Sequence, residues 1–158
     1  MVLNTIGLKA WQSDQFAAYK QLMQQPKAQA GLQMDVSESS LQSSFAEALK
    51  QPYFFQILLD DQLIGSITVY RALDQGTDDL THYSLAYSLD EAYEHHGYMH
   101  QALEVLFRHM NGPAIVQAEM FADNLASVHV VEGLSFTKLT EFTNFFGQTL
   151  CIFEKKID

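Results

Sequence analysis

The sequence has little of what staples a chain or attracts polyanions. Cys151 is its only cysteine, so neither an intrachain disulfide nor a cysteine-cluster metal site can form, and the chain reads as cytoplasmic. Nine Lys and Arg stand against 19 Asp and Glu, for a formal net charge of −10 at pH 7. Phosphate backbones need clustered basic side chains, so nucleic acid is not an expected partner. No apolar run approaches the roughly 18–20 residues of a membrane span. The first residues lack the basic-then-apolar order of a secretory signal, so no signal peptide is read, and without a long apolar run no membrane association is expected. There is no Walker-type loop, and one turn glycine does not make a dinucleotide fingerprint. No repeat, linker or low-complexity segment appears.

The chain has 158 residues, of which 47% are hydrophobic. That suits one domain over residues 1–158 with a substantial core. Thr5 to Ala10 reads as a strand. Ser13 can cap a helix carrying Phe16, Tyr19, Leu22 and Met23 on one face, closed by Pro26. Lys27 to Asp35 has no clear period and reads as loop. Ser37 and Glu38 open a second helix with the stripe Leu41, Phe45, Ala48 and Leu49. Tyr53–Leu59 and Gln62–Arg71 form a hairpin across Asp60-Asp61, with Gly65 marking a bulge or a close backbone approach. Ala114 to Met120 alternates as a strand. Asn124 precedes a short helix over Leu125–Gly133, and Phe136–Thr143 and Thr149–Lys155 form a last hairpin. The order predicts a mixed sheet with helices on both faces, an α/β (α+β) architecture.

The most informative stretch runs from Ser84 to Leu106. Tyr83, Leu85, Tyr87 and Leu89 alternate as in a strand, and Met99, Ala102, Leu103, Leu106 and Met110 fall at helical spacing. Glu94-His95-His96-Gly97 lies between them. A strand that feeds a helix through such a turn aims several backbone N–H groups at one point, which suits an anion. The histidines admit another reading. His96 and His100, four apart, would share a helical face as zinc ligands do, although Gly97 places a turn between them. His82, His109 and His129 read as scattered surface or edge residues, and Cys151 as core.

Four groups of residues together resemble a family. They are Leu8, Trp11, Ser13-Asp14, Tyr19 and Pro26; Leu63-Ile64-Gly65-Ser66; Ala86-Tyr87, Leu89-Asp90, Tyr93, Gly97-Tyr98 and Ala102; and Asn124, Ala126, Ser127, Leu134 and Phe136. In this order, and with these elements between them, the chain resembles a GNAT N-acetyltransferase of the RimJ/RimL-like, ribosomal-protein-acetylating group.

The resemblance implies a mixed sheet of about seven strands whose fourth and fifth strands splay apart. It implies acetyl-CoA as co-substrate and direct attack by a primary amine, from a protein N-terminus or a small molecule, in a ternary complex. The pantetheine arm would run along Ser88 and Leu89. The turn and helix start would take the pyrophosphate at Glu94, His95, His96, Gly97, Tyr98, Met99 and His100, with Asn124 as a further cofactor contact. Ser127 would protonate the leaving thiolate, and Tyr87 is a second catalytic candidate. Glu119 and Glu141 are options for the base. The expected assembly is a monomer or a homodimer, with no resident metal.

The turn departs from the family pattern. Glu94 stands in place of Gln, Arg or Trp, His95 in place of glycine, His96 in place of a basic residue, and Met99 in place of Gly or Ala. Ser84 replaces a glutamate and Ser135 a glycine. These departures motivate a second expectation, a GNAT-fold binding or regulatory module with impaired catalysis.

Overall fold

The computed structural model describes residues 5–26 and 35–158. The loop expected over Lys27–Asp35 lies outside the described residues except at Asp35. The strands are β1 (Ile6–Ala10), β2 (Tyr53–Leu59), β3 (Gln62–Arg71), β4 (Thr81–Leu89), β5 (Ala114–Phe121), β6 (Thr137–Thr143) and β7 (Thr149–Ile157). The α-helices used here are α1 (Phe16–Met23), α2 (Glu38–Leu49), α3 (Tyr98–His109) and α4 (Leu125–Gly133). They cover both faces of a seven-stranded mixed sheet of order β1-β2-β3-β4-β5-β7-β6.

Local chemistry explains most boundaries. Ser37 caps α2 by accepting the N–H of Ser40. Asp60 and Asp61 turn the β2–β3 hairpin with φ of 48° and 69°, the paired left-handed geometry of a tight hairpin. Both readings of Gly65 hold. The β2–β3 register shifts between Ile57 and Leu58, opposite Gly65, and a Cβ there would lie 2.6 Å from the Ser88 carbonyl oxygen. Ser13 differs from expectation. It opens a 3-10 turn, Ser13–Gln15, before α1, and the Gln15 side chain accepts the Gln12 N–H at 2.8 Å.

The core has two parts because central β3 is buried on both faces from Ile64 to Val69. On one face, Ile57, Ile67, Val69, Tyr83 and Leu85 pack with Leu103 and Leu106 of α3 and Val131 of α4. On the other, Trp11, Tyr19, Phe45 and Phe54 form a nest of rings with centroids 5.0–6.0 Å apart. The Trp11 indole N–H donates to Ser66 Oγ at 3.0 Å, so the ring is buried with its polar atom paired.

One irregularity positions the site. β4 and β5 are parallel neighbours only over Thr81–Ser84 and Ala114–Gln117. Beyond these residues β4 continues to Leu89 paired with β3, while β5 continues to Phe121 paired with β7. The two strands separate, and each turns an open edge toward the gap.

Candidate active site

A cavity of about 1290 Å³ occupies this gap and extends over the helix ends above it. Its walls come from β4 (Tyr87, Ser88, Leu89), the turn into α3 (Glu94, His95, Gly97) and the first residues of α3 (Tyr98, Met99, His100). The end of β5 with α4 (Phe121–Ser127, His129, Val130) and the β6–β7 turn (Gly147–Thr149) complete them.

At the β4–α3 junction, Asp90 caps a 3-10 turn over Glu91–Tyr93 by accepting the Ala92 N–H at 2.9 Å. The chain then passes through two left-handed residues, His95 (φ 65°) and Gly97 (φ 77°). Gly97 is the N-cap of α3 and carries no side chain to fold back over it. The first backbone bond of the helix runs from Gln101 N to Gly97 O at 3.1 Å. The Met99 and His100 amides of its first turn therefore have no intrahelical acceptor, and the helix dipole adds positive potential there. A Cβ on Gly97 would meet nothing within 4 Å, so space is open at this end.

The departures at this turn have structural answers. His95 keeps the left-handed backbone that glycine adopts freely, at a conformational cost. Met99 lies inside α3 and is buried, so no positive φ is needed at its position. His96 does not line the cavity; its ring is exposed and stacks on Tyr98 with centroids 5.4 Å apart. Glu94 is half-buried in the wall, 3.9 Å from His95 Nε2. His100 reaches across to α4, its Nε2 3.2 Å from the Gly133 carbonyl and its Nδ1 3.4 Å from Glu104.

At the β5–α4 junction, Asn124 accepts the Ser127 N–H on Oδ1 at 3.3 Å. The Tyr87 hydroxyl donates to the Ser127 carbonyl at 3.3 Å, tying β4 to the first turn of α4 across the gap. Burial pushes the Tyr87 phenol up to about 12, and its contact with Ser127 offsets only part of this. The ring therefore holds its proton at neutral pH.

The two glutamates occupy different places. Glu119 is exposed on β5, two residues past the last β4-paired position. By alternation it faces opposite to buried Ala118 and Met120, toward the α1–α2 side. Glu141 lies on edge strand β6, accepting from Lys138 Nζ at 3.4 Å and from Cys151 Sγ at 3.5 Å. Burial, then the Glu141 contact, pushes the Cys151 thiol up, which makes it an unreactive core residue. Among the described residues, no three His, Cys, Asp or Glu side chains are grouped to hold a metal ion.

Several lining residues escaped the sequence reading. His129 and Val130 follow Ala126 at i+3 and i+4, a helical signal that was available but not used. Gly147–Thr149 carry no local signal. They arrive through long-range pairing, with Leu150 opposite Phe121 and Ala122 N donating to Thr149 O at 2.9 Å.

The profile of the acetyltransferase (GNAT) domain family matches residues 5–137. The chain belongs to the GNAT acetyltransferase family. No curated protein sequence matches it. Solved structures with this fold include RimL, the ribosomal L7/L12 α-N-protein acetyltransferase, in complex with coenzyme A, at 21% identity and a TM-score of 0.79. That match covers 98% of this chain and 95% of RimL. The ribosomal-protein-S5-alanine acetyltransferase of Vibrio fischeri is similar at 16% identity and a TM-score of 0.74, covering 97% and 93% of the two chains. An aminoglycoside N(6′)-acetyltransferase from Legionella pneumophila is similar at 16% identity and a TM-score of 0.76, covering 96% and 92%. The GNAT family's donor is acetyl-CoA. Among the described residues, no helix is long and apolar enough to cross a membrane.

Proposed function

We propose that this GNAT domain, spanning residues 1–158, transfers the acetyl group of acetyl-CoA to a primary amine by direct attack. The observation that carries the reading is one cavity uniting an open β4 edge with an uncovered helix N-terminus. Ser88 and Leu89 offer the edge to the pantetheine arm. The amides from His95 to His100 take the pyrophosphate. Acetyl-CoA supplies an activated thioester carbonyl.

The chain's own residues supply orientation and proton traffic. Glu119 is the better placed glutamate to take a proton from the incoming ammonium, since it stands at the splay while Glu141 stands on the sheet edge. As the C–N bond forms and the C–S bond breaks, the departing thiolate needs a proton. Ser127 on the cavity wall is positioned to give it, with the neutral Tyr87 phenol beside it as second donor. Asn124 sets Ser127 in place by capping α4. Most of the rate comes from holding amine and thioester together.

The acceptor is a protein N-terminus or a small-molecule amine, and the acidic surface favours a cationic one. Neither nucleic acid nor a membrane is a partner, and the protein works in the cytoplasm as a monomer or homodimer.

A second reading, a GNAT-fold binding module, is favoured by Glu94 and His95 at the turn. Calorimetric titration with acetyl-CoA, followed by thiol release across an amine panel, separates the two. Binding with turnover supports the enzyme, whereas binding without turnover on any amine supports the module. Glu119→Gln should lower kcat by about a hundredfold without changing cofactor affinity.

A further inference from the structure

We propose that His95, His100 and His129 are the cationic groups of the cofactor site, and that they take up protons from solvent as the polyanionic cofactor binds. This rests on the acetyl-CoA reading above and adds the source of the positive charge.

A ligand with several phosphates needs countercharge, and the described residues lining this cavity supply no fixed one. Among the described residues lining it there is no lysine or arginine. The charged lining groups are the carboxylates Glu94 and Asp123, in a chain of net charge −10. Backbone amides bring partial charge only. The three histidines come from three elements, the turn, α3 and α4, and meet at one cavity. Histidine is the side chain whose charge a nearby anion can switch on near neutrality.

His95 carries a second mark. It occupies a left-handed backbone position, φ 65°, where glycine would be less strained. From this position the exposed ring lines the cavity. His96, the neighbouring candidate, stacks on Tyr98 outside the lining.

The groups facing each ring set the balance. His95 has Glu94 at 3.9 Å. His100 has Glu104 at 3.4 Å on its own helix and the Gly133 carbonyl at 3.2 Å on α4; both accept, so the doubly protonated ring satisfies both. Lys155 of β7, a fixed cation on that side, donates to the adjoining Leu134 carbonyl at 2.9 Å. His129 is exposed on α4, with Asp123 and Glu94 as the carboxylates sharing its cavity and Glu132 three residues along the helix.

The test is calorimetry on the full chain from about pH 6 to about pH 8, in buffers of different ionisation enthalpy. Coenzyme A and its 3′-dephospho form are titrated in parallel, because a phosphomonoester itself titrates near pH about 6. Both ligands should bind with net proton uptake, and affinity should rise at least about tenfold as pH falls across the range. His95→Gln and His129→Gln should each reduce the uptake. His95→Arg and His129→Arg should each tighten binding about tenfold at the alkaline end and flatten the pH profile. Thermal melts of every variant check that the fold survives.

Equal affinity across the range with no proton exchange would overturn the proposal and leave the acetyltransferase reading intact. Proton uptake with coenzyme A but not with the dephospho form would also overturn it. No binding at any pH, by the wild type or either Arg variant, would overturn both readings together.

Discussion

Two strand-to-helix junctions flank the gap, and they end their helices in opposite ways. At β5–α4, Asn124 folds its side chain over the helix start and accepts the Ser127 N–H. At β4–α3, Gly97 has no side chain, and the left-handed backbone at His95 and Gly97 leaves the helix end uncovered. A capped N-terminus has spent its dipole locally. An uncapped one keeps it for a ligand. On the function proposed above, this difference gives anion binding to the β4–α3 junction, the first in the chain, and side-chain chemistry to the β5–α4 junction, the second, although the two look alike as strand, turn and helix.

Substitutions can break this comparison. The largest effect is expected from Gly97→Asp, which places a carboxylate over the open helix end. Cofactor affinity should fall by about a hundredfold or more, while thermal unfolding shows only a modest loss because Asp tolerates the left-handed region. Unchanged affinity by calorimetry would remove this junction from the cofactor site. Ser127→Ala should lower kcat about tenfold to a hundredfold with cofactor affinity unchanged, and Tyr87→Phe combined with it should lower kcat further. If neither alters turnover, the second junction does no proton chemistry.

Asn124→Ala should destabilise the fold by about 1 kcal/mol through the lost cap, measured by denaturant unfolding, with a smaller effect on binding than Gly97→Asp. His95→Gly should stabilise the turn by about 0.5–1 kcal/mol by relieving the left-handed strain, yet weaken cofactor binding near neutral pH. A gain in both would show the ring to be a mere obstruction.

The smallest test is a stability profile at high pH. Burial holds the Tyr87 phenol protonated up to about 12 against an ordinary 10.0, and burial also pushes Tyr19 up. A group whose folded value is raised stabilises the fold below its unfolded value and loses that contribution as pH climbs through the folded one. Stability should therefore decline above about pH 10, and Tyr87→Phe should make the decline shallower.

Much of the fold was legible because its pattern is local. The bounds of β2, β3 and α4 follow directly from alternation, the Asp60-Asp61 turn and the Asn124 cap. What was not legible depends on distant pairing or backbone strain. Nothing near Thr149 says that β7 inserts between β5 and β6, yet this brings the β6–β7 turn to the cavity. Histidine in a left-handed conformation is rare enough that a missing glycine at position 95 read as a lost turn geometry, whereas the chain keeps that geometry. His129 is a surface residue as read, but its place on the cavity wall was not legible, because α4 has apolar residues around much of its circumference and shows no clear face.

The short ladder between β4 and β5 has a mechanical consequence. Four strands on one side and three on the other form two plates, joined through hydrogen bonds by four residue pairs at one end. Each plate completes its own pairing away from the gap, so the slot exists without breaking any bond of the sheet. On the function proposed above, an extended ligand lying along β4 and held at α3 acts as a tie across the open end. Its arrival makes the two plates behave more nearly as one cooperative body, and the protein's resistance to unfolding becomes a readout of how much donor is present.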